Sequence, residues 1–548
     1  MNEIQGKYDY IIVGGGSAGA VLAARLSENP ALKILMLEAG TKDTNPLIHI
    51  PFGLSLLSRF EGIGWGYHTA PQKELYDREL FWPRGKTLGG SSSVNAMCYI
   101  RGQKEDYDYW VEQGAVGWGF EDVLPYFKRS ENFFKGEDEF HGEGGPLHVS
   151  QLKHTSVLSD AFVEAASHAD FNVVDDFNRD LREGIGYYHV TQVNGQRCST
   201  AKGYLSQALH RNNLTVLTGV AAEKVLFDDN RAIGVQVREK GKIARYFIDR
   251  EAANSEVILC GGAINSPQLL MLSGIGPRSE LEDKGIYVMN DLPGVGQNLQ
   301  DHLDAIVQFT CKAREGYAIA AGALPSYIKA SYDYLFHRKG IYSSNVAEAG
   351  GFVSSSLATR GPDIQFHFLP AILDDHGRKF AFGYGYGVHV CCLYPKSKGS
   401  ITLQSSHPAD HPLIDPGYLT EPEDRQVMIE GIRMARKLLA APTFDKFEGS
   451  ELHPGTDAES DEALLEFLRE RAETIYHPIG TCKMGSDDDP MAVVDNQLKV
   501  RGVRGLRVVD ASVMPSLIGG NTNAPTIMIA ERAVDFIKAE HEGLAAPI

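Results

Sequence analysis

Residues 8–38, YDYIIVGGGSAGAVLAARLSENPALKILMLE, decide the fold of this chain. The β-rich run at 8–13 predicts a strand, the apolar run at 20–26 a helix, and the run at 33–37 a second strand. A strand, a helix and a strand in this order form a βαβ unit, which places both strands in a parallel sheet. We therefore predict an α/β domain at the start of the chain.

The glycines between the first strand and the helix follow the pattern Gly14-x-Gly16-x-x-Gly19. Glycines at this spacing permit a tight turn, a close approach of a pyrophosphate and close packing of the helix on the strand. The helix N-terminus then faces the phosphates, and Glu38 follows at the spacing of a ribose contact. The unit predicts a dinucleotide site without distinguishing FAD from NAD. The structural alternative is a tight strand-to-helix turn.

A second glycine-rich motif, RGKTLGGSSSVN, covers residues 84–95. Its adjacent glycines and its row of hydroxyl side chains can offer backbone N–H groups and short donors to a flavin or to a pyrophosphate. The alternative is a surface loop, against which the flanking aromatic residues Trp82 and Tyr99 argue. The surrounding region, from about residue 40 to 150, predicts long ordered loops with short helices, and loops of that kind usually carry function.

Two motifs near the end of the chain carry candidate catalytic side chains. In YHPIGTCKMG, residues 476–485, His477 stands beside proline and glycine in an apolar setting, which suits a neutral base near pH 7. In GGNTN, residues 519–523, Asn521 can donate an amide N–H to a substrate oxygen. The alternatives are a buried histidine that donates to a backbone carbonyl and an asparagine in a turn.

Length and composition restrict the class of protein. A chain of 548 residues predicts two domains. With 53 Lys and Arg against 71 Asp and Glu its net charge is −18, so nucleic acid is excluded as a general partner. The seven cysteines show no CxxC spacing, so we expect neither a disulfide framework nor a metal site. The absence of a secretory signal and of a spanning apolar run predicts a cytoplasmic protein.

The rest of the chain predicts a second kind of architecture. Strands are expected within 214–237, around a turn at 228–230, and at 256–260 and 506–509, and helices at 120–128, 266–272, 422–439 and 523–537. Between about 305 and 470, alternating stretches such as 364–369 and 387–393 predict an antiparallel sheet. The fold class is therefore α/β plus α+β.

Several motifs in a fixed order carry a family resemblance. They are YDYIIVGGGSAGAVLAARL with LEAG, RGKTLGGSSSVNAM, CGGAINSPQLLMLSGIG, VGQNLQDH, YHPIGTCKMG, RVVDASVMP and GNTNAPTIMIAE. From residue 8 to about 537 the chain resembles the glucose–methanol–choline (GMC) oxidoreductase family. Within that family it is similar to bacterial membrane-associated aliphatic alcohol dehydrogenases and to choline dehydrogenases.

The resemblance implies a discontinuous Rossmann-type FAD-binding domain and a substrate domain built on the antiparallel sheet. The expected segments are 1–160 and 161–304 for the first two parts of the FAD-binding domain, the second with some substrate-domain elements. Residues 305–470 form the substrate-binding domain, and 471–548 the last FAD-binding part with the catalytic pair.

The resemblance also implies roles for single residues. The active-site base falls on His477, a second catalytic position on Asn521, and a substrate-side polar group on His367. The positions implied for cofactor binding are Gly14, Gly16, Ser17, Ala18, Gly19, Glu38, Ala39, Gly85, Gly89, Gly90, Ser91, Asn95, Ala96, Ala222, Asp510, Ala511, Thr522 and Asn523. Some relatives link FAD to a histidine in the second glycine-rich motif. That position is Val94 here, so non-covalent FAD is expected.

The expected reaction is oxidation of a primary aliphatic alcohol to the aldehyde. His477 takes the hydroxyl proton, Asn521 stabilises the alkoxide, and the carbon gives a hydride to the flavin N5. The alternatives are a choline dehydrogenase, with Glu348 as a carboxylate for the cation, an oxygen-using alcohol oxidase, an FAD-containing lyase and a non-enzymatic flavoprotein scaffold.

The resemblance further implies a quinone-type electron acceptor and peripheral contact with the inner face of the cell membrane. Residues 45–57 and 317–335 are unusually apolar for loop-like regions. They are expected to line an entry path for a hydrophobic alcohol or to enter a membrane interface. The alternative is ordinary packing in the core or between domains.

Overall fold

A parallel sheet forms around the N-terminal βαβ unit in the computed structural model, which describes residues 7–57, 62–250, 252 and 254–545. Its five strands, in spatial order, are Leu214–Thr218, Ile34–Glu38, Tyr10–Val13, Glu256–Leu259 and Leu506–Val508. All neighbours run parallel. The three central strands are wholly buried, as expected for apolar runs covered on both faces. The predicted βαβ unit and fold class are confirmed, and the polar segment before residue 7 lies outside the described residues.

Helices from both ends of the chain cover this sheet. Ser17–Leu26 packs against Asn523–His541, which in turn contacts Phe120–Ser130. Arg25 donates to the fully buried carboxylate of Glu531 at 2.8 and 3.0 Å, which compensates the cost of burying that charge. The beginning and the end of the chain are therefore held together by packing and by an ion pair.

The helix at Gly262–Leu272 begins earlier than the predicted position, Ser266. The reason is a tertiary contact. The carboxylate of Asp510 accepts hydrogen bonds from Gly262 N at 2.8 Å and from Ser266 Oγ at 2.6 Å, and so satisfies groups at the helix start. Local sequence does not reveal a cap that comes from the other end of the chain.

The predicted antiparallel sheet is confirmed, and it has seven strands. They are Glu451–His453, Leu303–Thr310, Gly385–Cys392, Ile364–Leu369, Ala349–Val353 and Gly184–Tyr187, with Glu473–Thr474 also beside Leu303–Thr310. Val157–His168 and Pro422–Leu439 cover one face; the second helix has the predicted bounds. Side chains of a strand alternate between the two faces of the sheet, and His367 lies on the face opposite these helices.

A meander, several short two-stranded pairs and further helices complete the fold. The meander pairs Lys242–Ile248, Arg231–Glu239 and Val220–Asp228, with the predicted turn before Arg231, and Lys7–Tyr8 adds a parallel strand beside Lys242–Ile248. The two-stranded pairs are Tyr67–His68 with Phe81–Trp82, Glu131–Phe133 with Leu147–Val149, Gln192–Val193 with Gln196–Arg197, Ile275–Gly276 with Asn290–Asp291, and Ser400–Thr402 with Leu413–Asp415. The other α-helices are Pro46–His49, Leu54–Leu57, Lys104–Glu112, Ser206–Ala208, Arg278–Asp283, Leu324–His337 and Asp461–Arg471. In the parts of the chain described, none of the helices is long and apolar enough to cross a bilayer.

Candidate active site

A cavity of about 740 Å³ lies between the two large sheets. Val13, Leu37 and Leu259, at the carboxyl ends of three parallel strands, line one side of it, and His367 and Leu369 of the antiparallel sheet line the other. The crevice at the carboxyl ends of parallel strands is where open α/β sheets bind their ligands. The volume is within the range of about 300–1,000 Å³ found for small-molecule and cofactor sites.

The glycine loop forms one end of the cavity. Gly14 has φ +109°, a conformation that favours glycine, and a Cβ on Gly19 would lie 1.9 Å from Gly14 O. A Cβ on Gly90 would lie 2.7 Å from Gly16 Cα, so the two glycine-rich motifs touch through their backbones. The spacing of the first motif therefore serves the close packing that the sequence predicts.

Two helix N-termini meet at this loop. Ser17–Leu26 and Asn523–His541 both begin without a side-chain cap, so their first N–H groups are not taken by a capping side chain. Ser17 Oγ donates to Asn523 Oδ1 at 2.7 Å and ties the two ends together. The partial positive charge of two helix N-termini suits a pyrophosphate.

Glu38 lies beside the loop at the end of its strand. Its carboxylate accepts backbone N–H groups from Gly15 and Gly40, each at 2.7 Å. Burial raises the pKa of Glu38 to about 7, and the two backbone hydrogen bonds oppose that shift. Each carboxylate oxygen retains acceptor capacity for a ribose hydroxyl. Together with the helix N-termini, this set of donors and acceptors fits a dinucleotide such as FAD.

The structure brings most of the predicted cofactor residues to the cavity wall. Those that line it are Gly14, Gly16, Ser17, Glu38, Ala39, Gly85, Gly90, Ser91, Asn95, Ala96, Ala222, Ala511, Thr522 and Asn523. Those that lie behind it are Ala18, Gly19, Gly89 and Asp510. The latter support the wall: Gly89 N, for example, donates to Gly15 O at 2.7 Å.

His477 lies at the other end of the cavity in a chain of hydrogen bonds that defines its tautomer. His302 Nε2 lies 3.0 Å from Leu393 O, and a carbonyl only accepts, so this nitrogen carries the proton of His302. His302 Nδ1 is then an acceptor, and His477 Nδ1 donates to it at 3.0 Å. The neutral His477 ring therefore has its lone pair on Nε2, on the cavity side.

The pKa shifts of these histidines favour the neutral rings. Burial lowers the pKa of His477 well below its ordinary value, and the neighbouring His302 and His367 add to that shift. Burial also lowers the pKa of His302 to about 4 and that of His367 to about 3. At neutral pH His477 is therefore able to accept a proton.

Asp301 holds the backbone at this position. His477 N donates to Asp301 Oδ1 at 2.7 Å, while Thr474 Oγ1, at 2.5 Å, and the Tyr418 hydroxyl donate to Oδ2. Tyr476, directly before the histidine, has φ +75°, which is uncommon for a residue with a side chain. Such strain persists where the surroundings over-determine the backbone, as Asp301 does here.

Asn521 faces His477. Its Nδ2 lies 3.2 Å from His477 Nε2, and its Oδ1 accepts from Gln365 Nε2 at 3.1 Å, which orients the amide. Gly519, two residues before Asn521, is held through both of its backbone polar groups, because Asp106 accepts from its N–H at 2.8 Å and Arg182 donates to its carbonyl. Since His477 Nε2 is an acceptor, Asn521 Nδ2 donates to it, and a substrate hydroxyl in the cavity would replace this hydrogen bond with one to each group.

Sequence reasoning missed several of these positions. His302 and Asp301 belong to the quoted motif VGQNLQDH, but nothing in its spacing says that it meets a histidine far along the chain. Gln365 lies two residues before His367 on the same strand face, which a period of two could have indicated. His389 lines the cavity and carries no motif of its own.

Family models and curated proteins give a consistent comparison. The models of the GMC oxidoreductase family match residues 8–304 and 395–530. An alcohol dehydrogenase (acceptor) from Pseudomonas putida is 50% identical over 531 residues, which cover 97% of this chain and 95% of that protein. The mitochondrial choline dehydrogenase of Homo sapiens is 44% identical, with 98% of this chain and 91% of that protein covered.

Solved structures agree in fold. The pyridoxine 4-oxidase from Mesorbium loti superposes with a TM-score of 0.85 at 31% identity, covering 96% of this chain and 98% of that one. A formate oxidase variant from Aspergillus oryzae superposes with a TM-score of 0.90 at 28% identity, covering 99% of this chain and all of that one.

Proposed function

This chain belongs to the GMC oxidoreductase family, and from that premise we propose that it is an FAD-dependent dehydrogenase that oxidises a primary aliphatic alcohol to the aldehyde. The observation that carries the proposal is the lone pair of His477 Nε2 beside the amide donor of Asn521, inside one cavity with the dinucleotide loop. An alcohol needs an acceptor for its hydroxyl proton and a donor for its oxygen, and these are the two groups present.

The protein groups act on the hydroxyl. His477 Nε2 accepts the hydrogen bond of the substrate O–H and takes the proton, while Nδ1–H stays bonded to His302 and stabilises the imidazolium that forms. Asn521 Nδ2 donates to the same oxygen and stabilises the developing negative charge. When bound, FAD supplies the hydride acceptor. The glycine loop and the two helix N-termini would hold its pyrophosphate, and Glu38 its ribose.

We expect the flavin to be released by denaturation. Val94 lines the cavity at the position where some relatives carry the linking histidine, and a valine side chain forms no bond to a flavin. After acid precipitation and thorough washing the yellow colour should be in the supernatant. Colour that stays in the pellet would contradict non-covalent binding.

The substrate end of the cavity supports an apolar alcohol over choline. Glu348, the carboxylate expected for a choline cation, is fully buried away from the cavity. Its oxygens already accept from Tyr317, Ser344 Oγ at 2.5 Å, Ser159 Oγ at 2.6 Å and Ser156 N at 2.7 Å. Of the described residues that line the cavity, Glu38 is the one carboxylate, and it lies at the dinucleotide end.

An anaerobic reduction screen tests the proposal. The purified yellow protein is mixed without oxygen with primary alkanols of increasing length, with choline and with secondary alcohols, and the visible flavin absorbance is followed. Bleaching by alkanols, at lower concentration than by choline, is the expected result. Bleaching by choline alone would favour the choline alternative. Absence of bleaching with every alcohol would favour a lyase or a scaffold.

We propose a quinone as the electron acceptor; the alcohol dehydrogenase (acceptor) of Pseudomonas putida supports transfer of electrons to an acceptor, and its type is our proposal. Enzyme reduced by its alcohol is mixed either with air-saturated buffer or with a ubiquinone analogue. We expect faster reoxidation by the quinone. Reoxidation by air as fast as turnover would make the protein an oxidase.

We also propose that an exposed apolar face brings the protein to a membrane surface. Helix Leu324–His337 buries Tyr334 and Ala330, whereas its outer side exposes Leu324, Ile328, Tyr332, Leu335 and Phe336, between 58% and 69% each. Phe380 and Phe382, exposed by 62% and 74%, extend this apolar face beside Ile319. Large exposed apolar side chains gathered in this way are typical of an interaction site.

The apolar face adjoins the cavity. The ring of Phe52 contacts Tyr327 of this helix and also Tyr317, with centroids 6.3 and 5.2 Å apart. Leu54 and Leu57, which follow Phe52, line the cavity. A lipid-soluble alcohol or quinone would thus meet the protein close to the site.

The double substitution Ile328→Asp with Phe336→Asp should reduce binding to neutral phosphatidylcholine vesicles at least about tenfold, since each fully buried side chain of this size contributes about 1.5–3 kcal/mol. Co-sedimentation measures it. Tyr287→Asp is the matched control, because Tyr287 is 83% exposed outside this face. With a net charge of −18, binding should resist added salt but not mild detergent. Equal binding of both variants and the parent protein would overturn the proposal.

A further inference from the structure

Two histidines lie opposite each other on neighbouring strands, and both line the cavity. His367 on Ile364–Leu369 is in register with His389 on Gly385–Cys392. Directly opposed residues of an antiparallel pair have Cβ atoms about 4.5–5.5 Å apart. The two rings therefore face the same small volume, so that one group of a ligand can contact both.

His389 is backed by a buried carboxylate. Asp304, on the next strand, bonds His389 Nδ1 and does not itself line the cavity. Asp304 occupies Nδ1, so Nε2 is the nitrogen of His389 that remains for a ligand in the cavity. An imidazole nitrogen donates or accepts a hydrogen bond according to the tautomer.

His367 presents a second ring nitrogen. Its Nδ1 is buried and has no hydrogen-bond partner among the residues that the structure describes. Burial lowers the pKa of His367 to about 3, so the ring is neutral at neutral pH. A buried nitrogen without a partner costs free energy unless a ligand or a water bonds to it.

We propose that His367 and His389 form a subsite for a second hydroxyl group of the substrate. A hydroxyl both donates and accepts hydrogen bonds, so one hydroxyl can pair with a ring nitrogen of each histidine. This rests on the proposed function, in which His477 acts on the first hydroxyl. The substrate class is a diol with an apolar chain between the hydroxyls. A trimethylammonium group, which neither donates nor accepts, leaves both rings unsatisfied.

Paired substrates test the subsite. Anaerobic flavin reduction is measured for α,ω-diols from propanediol to octanediol, each against the primary alkanol of the same length. At one chain length the parent protein should prefer the diol about tenfold in kcat/KM, mostly through KM, as expected for two added hydrogen bonds between neutral groups. His389→Leu should abolish that preference, and Asp304→Asn should reduce it.

Controls separate the subsite from folding and from the proposed function. His389→Gln keeps a polar group that donates and accepts hydrogen bonds and should retain part of the preference, whereas Leu369→Met, elsewhere on the same wall, should retain all of it. Melting temperature and bound flavin are checked for each variant. An unchanged diol-to-alkanol ratio in His389→Leu, or no preference at any length in the parent protein, overturns the subsite alone. Absence of reduction by every alcohol overturns the proposed function.

Discussion

Replacing His477 by alanine is expected to lower the rate of flavin reduction by the alcohol at least about a hundredfold, the scale of general-base effects. The substitution removes the Nε2 lone pair that faces Asn521 and leaves the glycine loop and Glu38 untouched. The variant should therefore fold and stay yellow. Single-turnover reduction without oxygen, followed by flavin absorbance, measures the effect.

Asn521→Ala is the comparison for this prediction. It removes the donor to the substrate oxygen but leaves the base, so it should lose less rate than His477→Ala. A His477→Ala variant within about threefold of the parent rate would refute the assignment of the base, because general-base effects are roughly a hundredfold or more.

The pH dependence gives an independent check. Because burial lowers the pKa of His477 well below its ordinary value, the active neutral form should dominate from about pH 8 down to about pH 6. The reduction rate should not fall in this window through protonation of His477, and should decline only as the pH falls through the lowered pKa. A half-maximal rate near the ordinary histidine pKa of about 6.5 would contradict the buried, neutral ring.

His302→Leu is expected to lower the reduction rate by roughly a hundredfold, the second large effect. Leucine cannot accept the hydrogen bond from His477 Nδ1, which leaves that N–H unsatisfied. The base can then adopt the tautomer with its proton on Nε2, which cannot take the proton of an alcohol. The same single-turnover experiment measures the loss.

His302→Asn distinguishes orientation of the base from simple packing. The Oδ1 of asparagine lies near the position of the histidine Nδ1 and can accept the same hydrogen bond, so this variant should remain within about tenfold of the parent. If packing alone mattered, leucine would be the better tolerated residue at this fully buried position. Equal rates for both variants would mean that His302 does not orient His477.

Local patterns predicted the elements well where the cause of an element is local. The helix at Pro422–Leu439 has its predicted bounds because Pro422 at its start and the acidic first turn mark it in the sequence. The sequence pattern places the start of Gly262–Leu272 too late, because its cap is the distant Asp510. For the segment 317–335 the pattern is compatible with packing and with exposure, and the structure has both: Tyr334 is buried and Ile328 is exposed.

In the candidate site, too, local motifs predict some residues and tertiary contacts decide others. His477 and Asn521 were singled out from short motifs, and the structure brings their side chains within 3.2 Å of each other. Their catalytic roles stay predictions. Sequence patterns do not identify His389, because its position opposite His367 depends on strand register. A single sequence leaves that register undetermined.

The sequence by itself determined the βαβ unit, the glycine turn and the valine at position 94, because these depend on residue type and on neighbours a few positions away. Only the tertiary structure decided which nitrogen of His477 is the base, since His302 lies 175 positions earlier in the chain. It also decided that Glu348 is enclosed by hydroxyl groups and unavailable to a cation. Hydrogen-bond partners and burial arise from long-range packing, and packing is a property of the folded chain.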